Sequence, residues 1–297
     1  MRQSLIDLFK QTVVFQYRLP HGDIQKSIYS TVDDHCYMCV EDQELSRIIY
    51  NSLIDYAFNE NEMQDEDINL LHIEAISQRM RIEENDDEQT QKKYGFFGEV
   101  LLNLMLRIYY STNSIIAKGY FYDILKPEEP KGYDSYHLIE TDENTLLWFG
   151  EVKFYESYKL AIKSVFNNIE KAISDNYFKN NLLALTPKRR NLETDSQVIN
   201  QLILELRKNP QISITEMVEK HQFQLVYPIF ILCNYDINYD TTISSIINHI
   251  KDKYSGKNLN IGIDYNLFFI LLPVSNVSQI KSQVLQWIKS KQSLSLL

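Results

Sequence analysis

The sequence is poor in cysteine and glycine, and it has no long apolar run. The three cysteines, Cys36, Cys39 and Cys233, are too few for a disulfide framework, which favours a reducing cytoplasm. No apolar run approaches the length of a membrane span, and the N-terminal segment does not have the pattern of a signal peptide. These absences predict a cytoplasmic protein with no membrane partner.

The motifs of nucleophilic hydrolases are also missing. The sequence has no G-x-S-x-G, and His35 cannot form a dyad with Cys36 merely by adjacency, so a serine or cysteine hydrolase is disfavoured. Cys36 and Cys39 have the C-x-x-C spacing of a zinc site. Because no second pair lies nearby, we expect buried thiols at the start of a strand or helix instead.

Basic residues are scarce in the first third of the chain. Residues 1–90 hold 7 Lys+Arg and 19 Asp+Glu, whereas residues 91–297 hold 23 and 21. The net charge of −10 is therefore concentrated at the N-terminal end, and the rest can present a basic groove locally. The acidic runs at 59–67 and 83–88 are typical of solvated loops, and we place a region boundary after residue 88.

Hydrophobic periodicity predicts a mixed sheet flanked by helices. Residues 44–58 and 68–82 have the pattern of amphipathic helices, and residues 89–111 that of one long buried helix. The remaining predicted strands are 12–17, 115–125, 136–140, 146–155, 224–234 and 266–272, and the remaining helices are 156–175, 176–186, 198–208, 215–221, 241–254 and 276–290. From residue 89 onwards this order is that of an α/β fold.

Three charged residues fall on the predicted hairpin of strands 136–140 and 146–155. Asp134 precedes the first strand, and Glu151 and Lys153 lie in the second, which gives the pattern D…E-x-K. A turn near residues 143–144 would pair Asp134 with Lys153 and Tyr136 with Glu151. Because side chains alternate along a strand, the three charges would share one face, opposite the apolar Trp148, Val152 and Phe154.

Two carboxylates and a lysine at one point suit metal-assisted hydrolysis of a phosphodiester. Asp134 and Glu151 can hold a hard cation such as Mg²⁺ through oxygen, and the cation would lower the pKa of a bound water. Lys153 can orient the attacking water or stabilise the extra negative charge. The alternative is a cross-strand salt bridge on an exposed face. Five of the eight glycines fall within residues 95–150, which favours the functional interpretation.

Basic residues occur after the hairpin in two places. Lys159, Lys163 and Lys171 recur along part of one face of the helix 156–175. Lys188, Arg189 and Arg190 form the densest basic cluster, on a predicted loop. We predict phosphate contacts for Lys159, Lys163 and the 188–190 cluster, with a solvated surface as the alternative.

The hairpin also carries a resemblance. Gly132-Tyr-Asp134-Ser followed by LWFGEVKFY at 147–155 resembles the core of PD-(D/E)xK nucleases, with Gly-Tyr-Asp where the superfamily name has Pro-Asp. Together with Gly98-Glu99 and YPIFIL at 227–232, it is more narrowly similar to the nuclease subunit of the Hachiman antiphage system (HamA-like). The similarity extends from about residue 94 to about residue 236, and more weakly to the C-terminus.

This resemblance implies a restriction-endonuclease-like core at 89–297 with an added N-terminal region at 1–88. It implies a DNA nuclease that uses Mg²⁺, with Mn²⁺ as a substitute, and a superfamily 2 helicase partner (HamB-like). Asp134 and Glu151 would be the metal ligands. Glu99 would be an accessory ligand from the preceding helix, with a solvent-facing glutamate as the alternative. The competing function is a catalytically inactive module of the same fold that binds DNA or a partner.

The acidic N-terminal region has two interpretations beside such a nuclease. Residues 1–90 could restrain the nuclease and dock its partner, because an acidic layer near a DNA groove repels DNA. The alternative is that the acidity only increases solubility.

Overall fold

The computed structural model describes residues 1–19, 33–80, 82–83, 85–122, 131–142, 144–236, 238–254, 257, 259 and 265–291. The strands are β1 (Val13–Leu19), β2 (Asp34–Cys39), β3 (Asn113–Ser114), β4 (Ser135–Glu140), β5 (Thr145–Phe154), β6 (Phe223–Asn234) and β7 (Tyr265–Val274). The α-helices are α1 (Gln3–Thr12), α2 (Asp42–Asn51), α3 (Leu53–Ala57), α4 (Ile68–Glu74), α5 (Glu88–Gln91), α6 (Phe96–Tyr109), α7 (Tyr158–Ala172), α8 (Asp175–Leu185), α9 (Gln197–Lys208), α10 (Ile214–His221), α11 (Tyr239–Tyr254) and α12 (Val277–Ser290).

All seven strands belong to one mixed sheet in the order β1-β2-β7-β6-β5-β4-β3. The pairs β5–β6, β6–β7 and β2–β7 are parallel, and the pairs β1–β2, β3–β4 and β4–β5 are antiparallel. Helices flank the sheet on both faces. The predicted α/β fold with a mixed sheet flanked by helices is confirmed.

The two central parallel strands are buried on both faces. Residues 226–233 of β6 and 267–274 of β7 are buried without interruption. Such continuous apolar runs, rather than alternation, are typical of parallel strands that are covered by helices on each side. They form the rigid middle of the sheet, beside which β5 presents its charged residues.

The sheet separates two hydrophobic cores. One face packs against α1, α2, α6 and α12, and the even-numbered β5 residues Trp148, Val152 and Phe154 belong to that core. The other face packs against α7 to α11, and the odd-numbered Leu147 and Phe149 belong to that core. The burial predicted for the apolar face of the hairpin is therefore confirmed, and Glu151 and Lys153 lie on the α7 side.

Among the predicted elements, the helix and the strand that precede the β4–β5 hairpin differ clearly from the structure. The helix 89–111 is interrupted at residues 92–95: α5 ends with the amides of Lys93 and Tyr94 bonded three residues back, and the carbonyl of Lys92 accepts a hydrogen bond from the Lys281 ammonium. The predicted strand 115–125 is not formed over its described residues, because the short β3 ends just before it and a 3₁₀ turn covers Lys118–Phe121.

The 3₁₀ turn follows from contacts with the N-terminal region. The amide of Ala117 donates to the Asn59 side chain at 2.9 Å. A Cβ on Gly119 would lie 2.3 Å from the carbonyl oxygen of Ala57, so the chain turns where it touches the end of α3. The rest of that predicted strand, residues 123–125, lies outside the described residues.

The N-terminal region shares the sheet and a core with the later part of the chain. β1 and β2 extend the sheet beyond β7, and α1 to α3 contribute to the core that contains α6 and α12. Cys36 and Cys39 lie in β2, and both are buried, as predicted. Among the described residues, no helix combines the length and the apolar composition that crossing a membrane requires.

Candidate functional site

The β4–β5 hairpin brings Asp134 and Glu151 face to face. Tyr136 pairs with Phe149 and Ser135 with Gly150, and the amide of Asp134 donates to the carbonyl of Gly150 at 2.9 Å. The predicted register, with Asp134 opposite Lys153, is therefore wrong by two residues. The turn is centred one residue earlier than predicted, since the Thr141 amide donates to the Asn144 carbonyl at 2.9 Å.

A shift of two residues leaves every side chain on its predicted face, because the side-chain period of a strand is two. Asp134 therefore still shares a face with Glu151 and Lys153. The carboxylate of Asp134 accepts a hydrogen bond from the amide of Val152 at 2.7 Å, which fixes it against β5. Just upstream, Gly132 has a φ of +149°, and a Cβ there would lie 2.5 Å from the Tyr136 hydroxyl, so this entry to β4 requires glycine.

Glu151 and Lys153 form an ion pair inside the fold. Their carboxylate and ammonium are 2.5 Å apart, and the side chains are 16% and 18% exposed. Burial and the charge of Asp134 raise the pKa of Glu151 to about 7, against the lowering effect of Lys153. Burial alone would lower the pKa of Lys153, but the charges of Glu151 and Asp134 raise it above its ordinary value. Lys153 therefore stays cationic, whereas Glu151 carries an incompletely balanced charge.

Glu99 reaches the same place from α6. Gly98 permits the close approach of this helix to β5, because a Cβ there would lie 3.0 Å from a methyl group of Val152. The Glu99 carboxylate accepts a hydrogen bond from the Tyr56 hydroxyl at 2.5 Å and lies 3.7 Å from the Lys118 ammonium. Glu99 is buried rather than solvent-facing, so the structure contradicts the solvent-facing alternative.

The four predicted site residues line one cavity of about 730 Å³. Its charged lining residues are the carboxylates Glu99, Asp134, Glu151 and Glu156 and the ammonium groups Lys92, Lys93, Lys131, Lys153, Lys171 and Lys281. Among the described residues that line the cavity, cations therefore outnumber anions by six to four, in a chain of net charge −10.

The residues predicted to contact nucleic acid lie elsewhere. Lys159 and Lys163 are exposed on α7, and neither belongs to the lining of the cavity as described. The predicted loop of Lys188, Arg189 and Arg190 is a 3₁₀ helix, Thr186–Asn191. The Lys188 ammonium donates to the carbonyl of Tyr120, and the two arginines are exposed. Their contact with nucleic acid stays a prediction.

Three residues at the site were not predicted from the sequence. Tyr56 and Lys118 contact Glu99 although they lie 43 and 19 positions away in the chain, and no local sequence pattern predicts such contacts. Lys281 does carry a signal, because it interrupts the apolar stripe of α12. It lies one turn after Val277 and one turn before Leu285, at a position where an apolar residue is expected.

The donor set suits a hard divalent cation. Carboxylate oxygens are the ligands that Mg²⁺ prefers, and Mg²⁺ is usually bound by one or two carboxylates together with substrate phosphates and water. Among the described residues, no three His, Cys, Asp or Glu side chains are grouped so that they could hold a metal on their own. The facing pair of Asp134 and Glu151 thus fits Mg²⁺ with an open coordination shell rather than a closed structural site.

Comparison with known proteins identifies one family. No curated protein and no solved structure matches the chain. A family model described as HamA matches residues 9–288, which is nearly the whole chain of 297 residues. The protein therefore belongs to the HamA family, and this membership implies a role in Hachiman antiphage defence.

Proposed function

We propose that the protein is a metal-dependent DNA nuclease and the effector of a Hachiman system. The observation that carries this proposal is the facing pair of Asp134 and Glu151 with Lys153 on the same strand face, inside a cavity with a cationic surplus. Two adjacent, partly buried carboxylates repel each other, as the raised pKa of Glu151 indicates. A divalent cation would relieve that repulsion.

Asp134 and Glu151 would hold Mg²⁺ or Mn²⁺, with Glu99 at the edge of the site. The bound ion would polarise the phosphate and lower the pKa of a bound water. The main-chain amide of Val152 keeps the Asp134 carboxylate in place without a flexible partner, so this ligand position is preorganised. A cation competes with the proton on Glu151, so its affinity should fall as the pH drops below about 7.

Lys153 would act on the phosphate directly. Hydrolysis forms a bond from water oxygen to phosphorus and breaks the bond from phosphorus to a sugar oxygen, and negative charge builds up on the phosphate in between. The Lys153 ammonium stays charged at neutral pH and lies beside Glu151, where it can stabilise that charge and orient the water.

The proposal includes a helicase partner that delivers DNA to the cavity. The test is cleavage of plasmid and linear DNA with Mg²⁺ and with EDTA, each with and without a co-expressed superfamily 2 helicase (HamB-like). We expect cleavage with Mg²⁺, none with EDTA and an increase with the helicase. No cleavage with Mg²⁺ or Mn²⁺ in the presence of the helicase would favour the inactive DNA- or partner-binding module.

A further inference from the structure

The cavity extends across the end of β5 from one face of the sheet to the other. Its lining includes Lys92, Lys93 and Lys281 from the side of α6 and α12, and Lys171 from α7 on the opposite side. Asp134 and Glu151 lie between these groups, at the sheet itself. Positive charge is therefore present on both sides of the carboxylate pair.

Lys281 is a buried ammonium that faces this cavity. It is 7% exposed, and its Nζ donates to the carbonyls of Lys92 at 2.9 Å and of Phe154 at 2.8 Å. Among the described residues these carbonyls are its hydrogen-bond partners, so one of its three N–H donors remains for a ligand. The rings of Phe97 and Phe154 lie about 5 Å away, and burial lowers the pKa of Lys281 to about 8.

Burying an ammonium without a counter-charge is costly, and an anion in the cavity would offset that cost. The carboxylate whose charge favours the protonated form of Lys281 is Glu156, which is itself exposed. A phosphate group matches the remaining donor, the cavity and the charge. The carbonyl of Phe154 also places Lys281 three residues beyond Glu151 along β5, which is about 10 Å at the rise of a strand.

The exposed lysines continue the positive charge on either side. Lys93 lies in the segment between α5 and α6, beside Lys92, whose ammonium is paired with Glu88 at 3.0 Å. Lys171 is exposed near the end of α7, with its ammonium 5.5 Å from the ring centre of Tyr177. The cations of the described lining are all lysines, which act as point charges and do not read base edges as the fork of arginine does.

We propose that Lys92, Lys93, Lys281, Lys131 and Lys171 form a lysine track that binds the sugar–phosphate backbone of DNA without sequence preference. The backbone enters beside Lys93, passes Asp134 and Glu151 with one phosphate held by Lys281, and leaves beside Lys171. This inference rests on the proposed nuclease function, since it names the surface by which the same site holds its substrate. In this proposal the main phosphate contacts lie in the cavity and not at the contacts predicted from the sequence, which are Lys159, Lys163, Lys188, Arg189 and Arg190.

The test measures how DNA affinity depends on salt. Fluorescein-labelled duplex and single-stranded DNA are titrated with full-length protein in EDTA, so that no cleavage occurs, between about 50 and 200 mM salt. Each lost phosphate contact lowers the slope of log K against log salt by about 0.9 on duplex and about 0.7 on single strands. We expect that loss for Lys93→Gln and for Lys171→Gln, and about twice that loss for the double variant.

Two further variants complete the design. Lys208→Gln is the matched control, because Lys208 is exposed at the end of α9, outside the described lining, and its slope should equal that of wild type. Lys281→Met should lose one contact, and Lys281→Arg should keep it. Thermal unfolding of the two Lys281 variants shows whether Lys281→Met is folded. If it is not, the Lys93→Gln and Lys171→Gln variants alone test the lysine track.

Equal slopes for wild type and the Lys93→Gln/Lys171→Gln double variant overturn the lysine track. So does a loss of slope in Lys163→Gln and Arg190→Gln alone, which places the DNA on the outer face of α7 and the 188–190 segment. Cleavage by the same proteins with Mg²⁺ separates the two proposals. Cleavage with unchanged slopes leaves the nuclease function standing, whereas reduced slopes without cleavage in wild type leave only the track.

Discussion

The two walls of the cavity hold their carboxylates in opposite ways. On the strand wall, formed by β4 and β5, Asp134 and Glu151 face each other and share one ammonium, that of Lys153. On the helix wall, at the start of α6, Glu99 has the Lys118 ammonium at 3.7 Å and a tyrosine hydroxyl at 2.5 Å. Negative charge is thus in excess on the strand wall, whereas on the helix wall one carboxylate has an ammonium and a hydroxyl of the fold as partners.

This difference separates a binding role from a supporting role. The strand wall has the negative charge that a divalent cation would balance. The raised pKa of Glu151 reflects this excess of negative charge. The helix wall is joined to the N-terminal region through Tyr56 of α3, so the position of Glu99 depends on a segment that lies before residue 88. Changes to the strand wall should therefore have large effects, and changes to the helix wall smaller ones.

The largest effect is expected from Glu151→Ala and Lys153→Ala. Each removes a group that would hold the cation or stabilise charge on the phosphate, so the cleavage rate with Mg²⁺ should fall by about 10²-fold or more. Far-UV circular dichroism and thermal unfolding should show a folded protein. Glu170→Ala, an exposed position on α7, serves as the control. Wild-type cleavage by either site variant would show that the D…E-x-K assignment is wrong.

The second effect concerns pH and stability. A carboxyl whose pKa is raised by folding stabilises the folded state below its unfolded pKa, about 4.3, and that contribution is lost as pH rises through about 7. In EDTA, wild type should therefore lose on the order of 2 kcal/mol of unfolding free energy relative to Glu151→Gln between about pH 5 and pH 8. Denaturant unfolding measures this gap. A gap that is independent of pH would contradict the raised pKa.

Mg²⁺ should offset the loss of stability that the charged Glu151 causes. At about pH 8 the ion should raise the unfolding temperature of wild type by binding the folded state, and the rise should be much smaller in Glu151→Gln. Equal rises in the two proteins would place the bound ion away from the strand wall.

A milder effect is expected from Glu99→Gln. The change removes a charge from the edge of the site but leaves Asp134 and Glu151, so half-maximal cleavage should need several-fold more Mg²⁺ with a similar maximal rate. Tyr56→Phe, which removes only the hydroxyl that donates to Glu99, should have a smaller effect in the same direction. An unchanged Mg²⁺ titration in Glu99→Gln would leave Glu99 as a structural residue of α6.

The smallest effect should come from the acidic run before α5. Of its members, Glu88 pairs with the track residue Lys92, and Asp86 accepts a hydrogen bond from Tyr94, whereas Glu84 lies outside the described residues. We expect that the Asn or Gln variant of Glu83, Glu84, Asp86, Asp87 and Glu88 binds DNA a few-fold more tightly at low salt and binds the helicase less well. If DNA affinity and helicase binding of this variant both equal those of wild type, the acidic run has no part in restraining the nuclease or docking its partner.

The elements that follow from local pattern were predictable from the sequence. The alternation of β5 placed Glu151 and Lys153 opposite an apolar face, and an error of two residues in the register did not move Asp134 off that face. The fold class followed from the order of strands and helices. The same local signals misplaced the turn by one residue, because several of the polar residues at 141–144 are compatible with a turn centre.

The predictions that failed concern features that depend on contacts between distant segments of the chain. The break at 92–95 accompanies a hydrogen bond from Lys281, nearly 190 positions later, and the 3₁₀ turn after β3 follows from packing against Ala57. Propensity within a window cannot contain such information. The two residues that hold Glu99 are invisible to motif searches for the same reason, since a tyrosine on α3 and a lysine in a turn match no catalytic pattern.

The strand order has a consequence for synthesis on the ribosome. β2 joins the sheet by pairing with β7, at His35 with Ile270 and Cys36 with Leu271. The paired residues are 235 positions apart (270 minus 35), so at roughly 5–20 residues per second the first hairpin waits on the order of 10–50 seconds for its neighbour. A chain that is cut short before β7 therefore lacks the strand with which β2 pairs, and β1 joins the sheet only through β2. Any partner that recognises the assembled N-terminal region consequently selects chains that have been translated through β7.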